Sequence, residues 1–96
     1  MKNTSISALQ QLLNEKGVFE ALGVNRIGIF GSFARGESYN DIDLLLDEEP
    51  GYQKRETLQQ IIESEWKIPC DVLVREYTEP IILHYINKDL KYIERK

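Results

Sequence analysis

Apolar residues recur along this chain with two different periods, and the switches between them divide it into helices and strands. From Ser7 onward, Ala8, Leu9, Leu12, Leu13 and Val18 fall at helical intervals. They predict an amphipathic helix that Gly17 or Gly23 can end. From Tyr52 to Trp66 the apolar positions are Leu58, Ile61, Ile62 and Trp66, again at helical spacing. Thr78-Glu79-Pro80 opens a last helix running to about Asp89, with Pro80 suited to its first turn and Ile81, Ile82, Tyr85 and Ile86 as its apolar side. Between the helices lie three short runs that read as strands: Arg26 to Phe30, Asp41 to Asp47, and Pro69 to Val74. Gly31-Ser32 suits a tight exit and a helix N-cap. Only one turn of helix fits in Phe33 to Glu37, because Gly36, Ser38 and Asn40 break the pattern. Glu48-Glu49-Pro50-Gly51 makes an acidic turn, and Glu94-Arg95-Lys96 reads as a solvated tail.

The order of these elements constrains how they pair. Strand two, helix and strand three form a β-α-β unit, which makes those strands parallel neighbours, whereas strands one and two are joined too briefly for a crossover and must be antiparallel. The expected fold is therefore α+β, with a small mixed sheet of three or more strands flanked by helices. That topology brings the end of strand one, the start of strand two and the start of strand three to one edge, where Gly31-Ser32, Asp41 with Asp43, and Asp71 sit.

Alternate side chains on a strand share a face, so Asp41 and Asp43 point together while Ile42 and Leu44 point the other way. Two neighbouring carboxylates repel one another unless protonated, hydrated or neutralised by a cation, and with open positions they suit octahedral Mg²⁺. Asp71 can add a third oxygen from the adjacent strand. Gly31, having no side chain, lets a phosphate approach closely, and Ser32 offers a hydroxyl beside the N–H groups of a helix start. Arg35 can reach a phosphate, since guanidinium matches phosphate oxygens. Other residues stand apart: His84 lies far along the chain, Tyr39 and Tyr52 are two of five tyrosines and are not assigned to the site, and Cys70 reads as a small buried hydrophobe.

Composition narrows the function further. With 42% hydrophobic and 29% charged residues over 96 positions, one domain spanning residues 1–96 is expected. A net charge of -4 leaves no basic field to grip phosphate backbones, so nucleic acid is not the expected partner. One cysteine cannot form an internal disulfide, which suits a reducing compartment. Met1 to Ser7 lacks the apolar run of a leader and no long apolar stretch follows, so a cytoplasmic protein with no membrane partner is expected.

Several familiar site types fail on their own mechanics. Gly28-Ile-Phe-Gly31 has neither the spacing nor the lysine of a Walker A loop, and it is not a G-x-G-x-x-G turn. Leu45 and Leu46 stand where an EF-hand loop needs an oxygen ligand and a glycine. A phosphoaspartate phosphatase would carry its Asp-x-Asp after a hydrophobic strand, whereas here Ser38-Tyr39-Asn40 precede the pair and the hydrophobic residues follow.

Gly31-Ser32-Phe-Ala-Arg-Gly-Glu37 followed by Asp41-Ile-Asp-Leu-Leu-Leu-Asp47 resembles the signature of the polymerase-β-like nucleotidyltransferases, and most of all their smallest branch, the MNT or MntA-type antitoxins. Eight residues, Phe33 to Asn40, separate the serine from the first aspartate, a short connection for that branch. The resemblance implies that Gly31 and Ser32 engage the triphosphate of ATP, that Asp41 and Asp43 bind Mg²⁺, and that Asp71 is the third carboxylate. It also implies transfer of AMP to a hydroxyl, typically a tyrosine, on a HEPN-type toxin protein. The alternative expectation is a non-catalytic module of the same fold that neutralises its partner by binding; self-association is left open.

Overall fold

The computed structural model describes residues 5–96. What the sequence suggests about a leader in residues 1–4 lies outside the described residues. The first element among the described residues is α1 (Ile6–Glu15), capped by Ser5, whose hydroxyl accepts the Ala8 N–H at 3.1 Å. The first apolar stripe is divided between two helices: Gly17 adopts φ 65°, left-handed backbone open to glycine, and a short α2 (Val18–Leu22) follows. Then come β1 (Arg26–Phe30), α3 (Gly31–Arg35), β2 (Ile42–Leu46), α4 (Tyr52–Trp66), β3 (Cys70–Val74), a 3₁₀ turn (Arg75–Tyr77), α5 (Pro80–Asp89) and β4 (Lys91–Glu94).

The four strands form one mixed sheet in the order β3-β2-β1-β4. β2 and β3 are parallel, with Asp43 level with Asp71, and β1 runs antiparallel to β2, with Phe30 opposite Asp43. Both pairings follow the expected connection rules. Glu94-Arg95-Lys96 are exposed, as a solvated tail should be, but the strand that leads into them was not expected: Lys91–Glu94 forms β4 and pairs antiparallel with β1, Ile27 facing Ile93. The neighbouring backbone is also held, because Gln10 and Asn14 of α1 donate to the Glu94 carbonyl at 3.0 and 3.3 Å and the Arg95 N–H donates to the Asn25 carbonyl at 2.9 Å.

Alternation gives the sheet two unlike faces. One carries Ile27, Ile29, Ile42, Leu44, Leu46, Val74 and Ile93 and packs under α1, α2 and α4 through Leu9, Leu13, Phe19, Leu58, Ile62 and Trp66, forming the main core. The other carries Asp43, Asp71 and the fully buried Leu45, and α5 covers only part of it. The apolar side of α5 is only partly covered. Of the apolar side assigned to α5, Ile86 is buried, but Ile81, Ile82 and Tyr85 are 61%, 44% and 59% exposed. A single helix lying on a partly covered face has nothing beyond it to bury a broad stripe against. Among the described residues no helix is long and apolar enough to cross a membrane.

Candidate active site

β1 ends at Phe30 and the chain turns directly into α3 through Gly31, whose φ is 78°. The turn requires glycine for two independent reasons. Left-handed backbone strains any residue with a Cβ, and a Cβ at Gly31 would lie 2.5 Å from Asp43 Oδ2. The missing side chain thus lets the carboxylate of Asp43 rest against the turn. Ser32 lies in the first turn of α3 rather than at the N-cap, which is Phe30. In a five-residue helix almost every N–H belongs to the first turn, where donors lack intrahelical acceptors. The start of this helix lies beside Asp43.

Asp41 stands just before β2 and Asp43 inside it, while Ile42 and Leu44 are fully buried on the core face. β3 supplies Asp71, level with Asp43 on the adjacent strand. One carboxylate oxygen from each of Asp41, Asp43 and Asp71 can be chosen so that all lie within 4.8 Å of one another. Sheet order places Asp43 in the middle, with Gly31 on the β1 side and Asp71 on the β3 side. The Asp43 pKa is pushed from the ordinary 3.8 up to about 6, chiefly by burial and then by the negative charges of Asp41 and Asp71. No cationic side chain of the described residues forms an ion pair with the three, so they have the unneutralised charge and the hard oxygen donors that suit a divalent cation such as Mg²⁺. The short connection from Ser32 to Asp41 is therefore long enough to assemble the cluster.

Arg35 sits beside the turn, but its guanidinium is engaged. Nη1 donates to Asp89 at 2.7 Å, Nε to Glu37 at 2.9 Å, and Nη2 to the Ser32 hydroxyl at 3.2 Å. It links α3 to the end of α5 and holds Ser32, and much of its charge is already matched by carboxylates. The contribution of Asp89 was not legible beforehand, because nothing in local spacing ties a residue at the end of one helix to a guanidinium 54 positions earlier. The residues set aside in sequence lie elsewhere: His84 is exposed on α5, Tyr39 packs edge-on against Phe33 with ring centroids 4.9 Å apart, and Tyr52 is exposed at the start of α4. Cys70 is buried beside the cluster, and burial, followed by the nearby carboxylates, pushes its thiol up to about 12, leaving it protonated and unreactive.

Residues 10–94 match the family described as "Nucleotidyltransferase domain". The chain is 29% identical over 84 residues to protein adenylyltransferase MntA of Thermococcus cleftensis, covering 83% of this chain and 85% of that protein. Among solved structures it resembles a toxin–antitoxin crystal structure with AMP-PNP, with a TM-score of 0.61 at 21% identity over 88% of this chain and 75% of that one. It also resembles a complex of tri-AMPylated Shewanella oneidensis HEPN toxin with MNT antitoxin, with a TM-score of 0.56 at 22% identity over 91% of this chain and 73% of the other. The chain belongs to the nucleotidyltransferase domain family and is a nucleotidyltransferase of the polymerase-β-like fold.

Proposed function

We propose that this nucleotidyltransferase moves AMP from ATP to a hydroxyl group of a HEPN-type partner protein, and so acts as the antitoxin of a toxin–antitoxin pair. The observation that carries the reading is the gathering of Asp41, Asp43 and Asp71 beside the glycine turn at Gly31. The names of the similar proteins, an adenylyltransferase and the MNT partner of an AMPylated HEPN toxin, supply the substrate class. The exposed Ile81, Ile82 and Tyr85 support a macromolecular partner, since apolar side chains grouped in the open mark surfaces that another protein covers. A module that only binds would leave the three-carboxylate cluster and its charge without a use.

In this reading Gly31 and Ser32 cradle the triphosphate, with Arg35 steadying Ser32. Asp41, Asp43 and Asp71 would together hold Mg²⁺, which when bound neutralises phosphate charge and supports the leaving group. The acceptor oxygen attacks the α-phosphorus, the bond from that phosphorus to the bridging oxygen breaks, and pyrophosphate departs. Asp71 accepts the proton from the acceptor hydroxyl. Its placement supports that role: in-line attack requires the acceptor to enter opposite the departing phosphates, and Asp71 lies across Asp43 from the Gly31 turn. A positioned base contributes roughly 10²–10⁴-fold to such a step.

The test uses α-labelled ATP and a HEPN-type protein as acceptor, with single-turnover labelling measured beside nucleotide affinity. Asp71→Asn is expected to retain most affinity and to lose label transfer by a factor within that range. If affinity and rate fall together, Asp71 is mainly a metal ligand; if neither falls, it lies outside the site; and if wild type transfers no label, the adenylyl-transfer reading itself fails.

A further inference from the structure

We infer that Gln59 and Glu63 of α4 are positioning residues for Asp71, acting through the backbone of Cys70; this rests on the role given to Asp71 above. Among the described residues β3 is an edge strand, with β2 as its one neighbour in the sheet. The Ile42 N–H donates to the Pro69 carbonyl at 2.9 Å, so Pro69 faces β2. In a parallel pair the backbone groups of alternate residues face a given neighbour. Those of Cys70 therefore point outward, where no strand continues the sheet.

Two side chains of α4 take that strand's place. Gln59 Nε2 donates to the Cys70 carbonyl at 2.6 Å, and the Cys70 N–H donates to Glu63 Oε2 at 2.9 Å. Residues four apart lie on the same side of a helix, so both reach the same strand residue. The consequence reaches Asp71 through covalent geometry. The Cys70 carbonyl and the Asp71 N–H belong to one planar peptide unit, and fixing the first fixes the orientation in which the second leaves. Asp71 itself is exposed, and among the described residues no side chain or backbone group hydrogen-bonds its carboxylate. Its direction is thus set by the backbone of an edge strand, and Gln59 and Glu63 hold the outer side of that backbone.

The experiment compares wild type with Gln59→Met and Glu63→Met, which keep side-chain length but lose the hydrogen bonds, and Glu63→Gln, which keeps an acceptor for the Cys70 N–H. Asp71→Asn is the reference. Mn²⁺ serves as the probe of the carboxylate cluster, its affinity read by electron paramagnetic resonance, while amide hydrogen exchange reads the start of β3. Each Met variant is expected to speed exchange at Cys70 and Asp71 without changing it in α1, and to weaken Mn²⁺ binding by roughly 10–100-fold, as loss of an orienting partner typically does. Glu63→Gln should stay close to wild type. Wild-type Mn²⁺ affinity in both Met variants, with Asp71→Asn weakened, overturns the positioning role and leaves the assignment of Asp71 intact. Wild-type affinity in Asp71→Asn removes Asp71 from the metal site and the inference with it. Exchange accelerated throughout the chain assigns the two side chains to general stability and also overturns the proposal.

Discussion

At the scale of single residues, Asp43 carries the largest conflict between fold and site. Its carboxylate is partly buried against Gly31 and flanked by two other aspartates, so the folded protein holds a proton there up to about pH 6, whereas the ordinary value is 3.8. A folded state that binds a proton more tightly than the unfolded chain has stability that is fully present below the unfolded value and is lost as pH rises through the folded one. The metal-free protein should therefore gain stability from this group as pH is lowered from 7 towards 5. Asp43→Asn is nearly isosteric and cannot ionise, so it should abolish that segment of the pH dependence. A gain of about 1 kcal/mol at pH 7 would raise Tm by roughly 4–8 °C in a domain of this size. Thermal melting from pH 4 to 8 in EDTA checks this, and a variant that melts below wild type at pH 7 would show that Asp43 is a structural residue. That Asp41, Asp43 and Asp71 lie together was legible in the sequence, because strand alternation puts the first two on one face and the β-α-β order brings the third alongside. The shift at Asp43 was not, since it depends chiefly on how deeply the folded chain buries that carboxylate.

Elements differ in how openly the sequence declares them. α4 and α5 are both bounded as their apolar spacing and Pro80 predict. β4 escaped because it has four residues, alternates weakly, and follows α5 after the single residue Leu90, with no glycine or proline to mark the boundary. Its burial of Ile93 against β1 is a tertiary fact that the charged Glu94-Arg95-Lys96 conceals. The opposite end of the sheet from the aspartates shows how the strands are tied together. Asp47, just past β2, accepts hydrogen bonds from Arg26 at 3.0 Å, Arg75 at 3.2 Å and Tyr92 at 3.0 Å, joining residues from β1, the turn after β3, and β4. Burial alone would raise the Asp47 pKa, but these bonds outweigh it and the net shift is downward. The end of α4 is less well matched: Lys67 caps it with φ 58° and ψ 35°, the conformation usually left to glycine. Left-handed backbone costs a residue with a Cβ on the order of 1 kcal/mol, and glycine's greater freedom when unfolded offsets part of the relief. Lys67→Gly should raise stability by about 0.5 kcal/mol, read as a higher urea midpoint at unchanged slope. A lower midpoint would mean that the lysine stem contributes packing that outweighs the strain.

The whole molecule sets charge against its own substrate. The chain has a net charge of -4, and its candidate active site gathers three carboxylates on the partly covered face of the sheet. Arg35, the cation beside the Gly31 turn, already faces Glu37 and Asp89. A triphosphate approaching this site meets negative charge that no cation of the described residues is free to cancel through an ion pair with the aspartates. Two unit charges 4 Å apart at a protein surface interact by about 4 kcal/mol at an effective dielectric constant of 20. Even a fraction of that, summed over several phosphate and carboxylate oxygens, exceeds what a few backbone N–H groups at the start of α3 return, at roughly 1.5–3 kcal/mol for each hydrogen bond to a charged group. The balance reverses when a divalent cation lies between the two sets of oxygens, because repulsion is then replaced by two attractions. ATP affinity should therefore be measurable with Mg²⁺ and lower by at least about tenfold, or about 1.4 kcal/mol, in EDTA. Titration calorimetry in both conditions decides the point, with Asp43→Asn as a third arm. That variant should narrow the difference from both sides, binding metal less well but repelling free ATP less. Equal affinity with and without Mg²⁺ in the wild type would mean that Asp41, Asp43 and Asp71 do not bridge to the triphosphate through a metal ion. The carboxylate cluster would then need another explanation, and the phosphate contacts would have to lie on the α3 side alone.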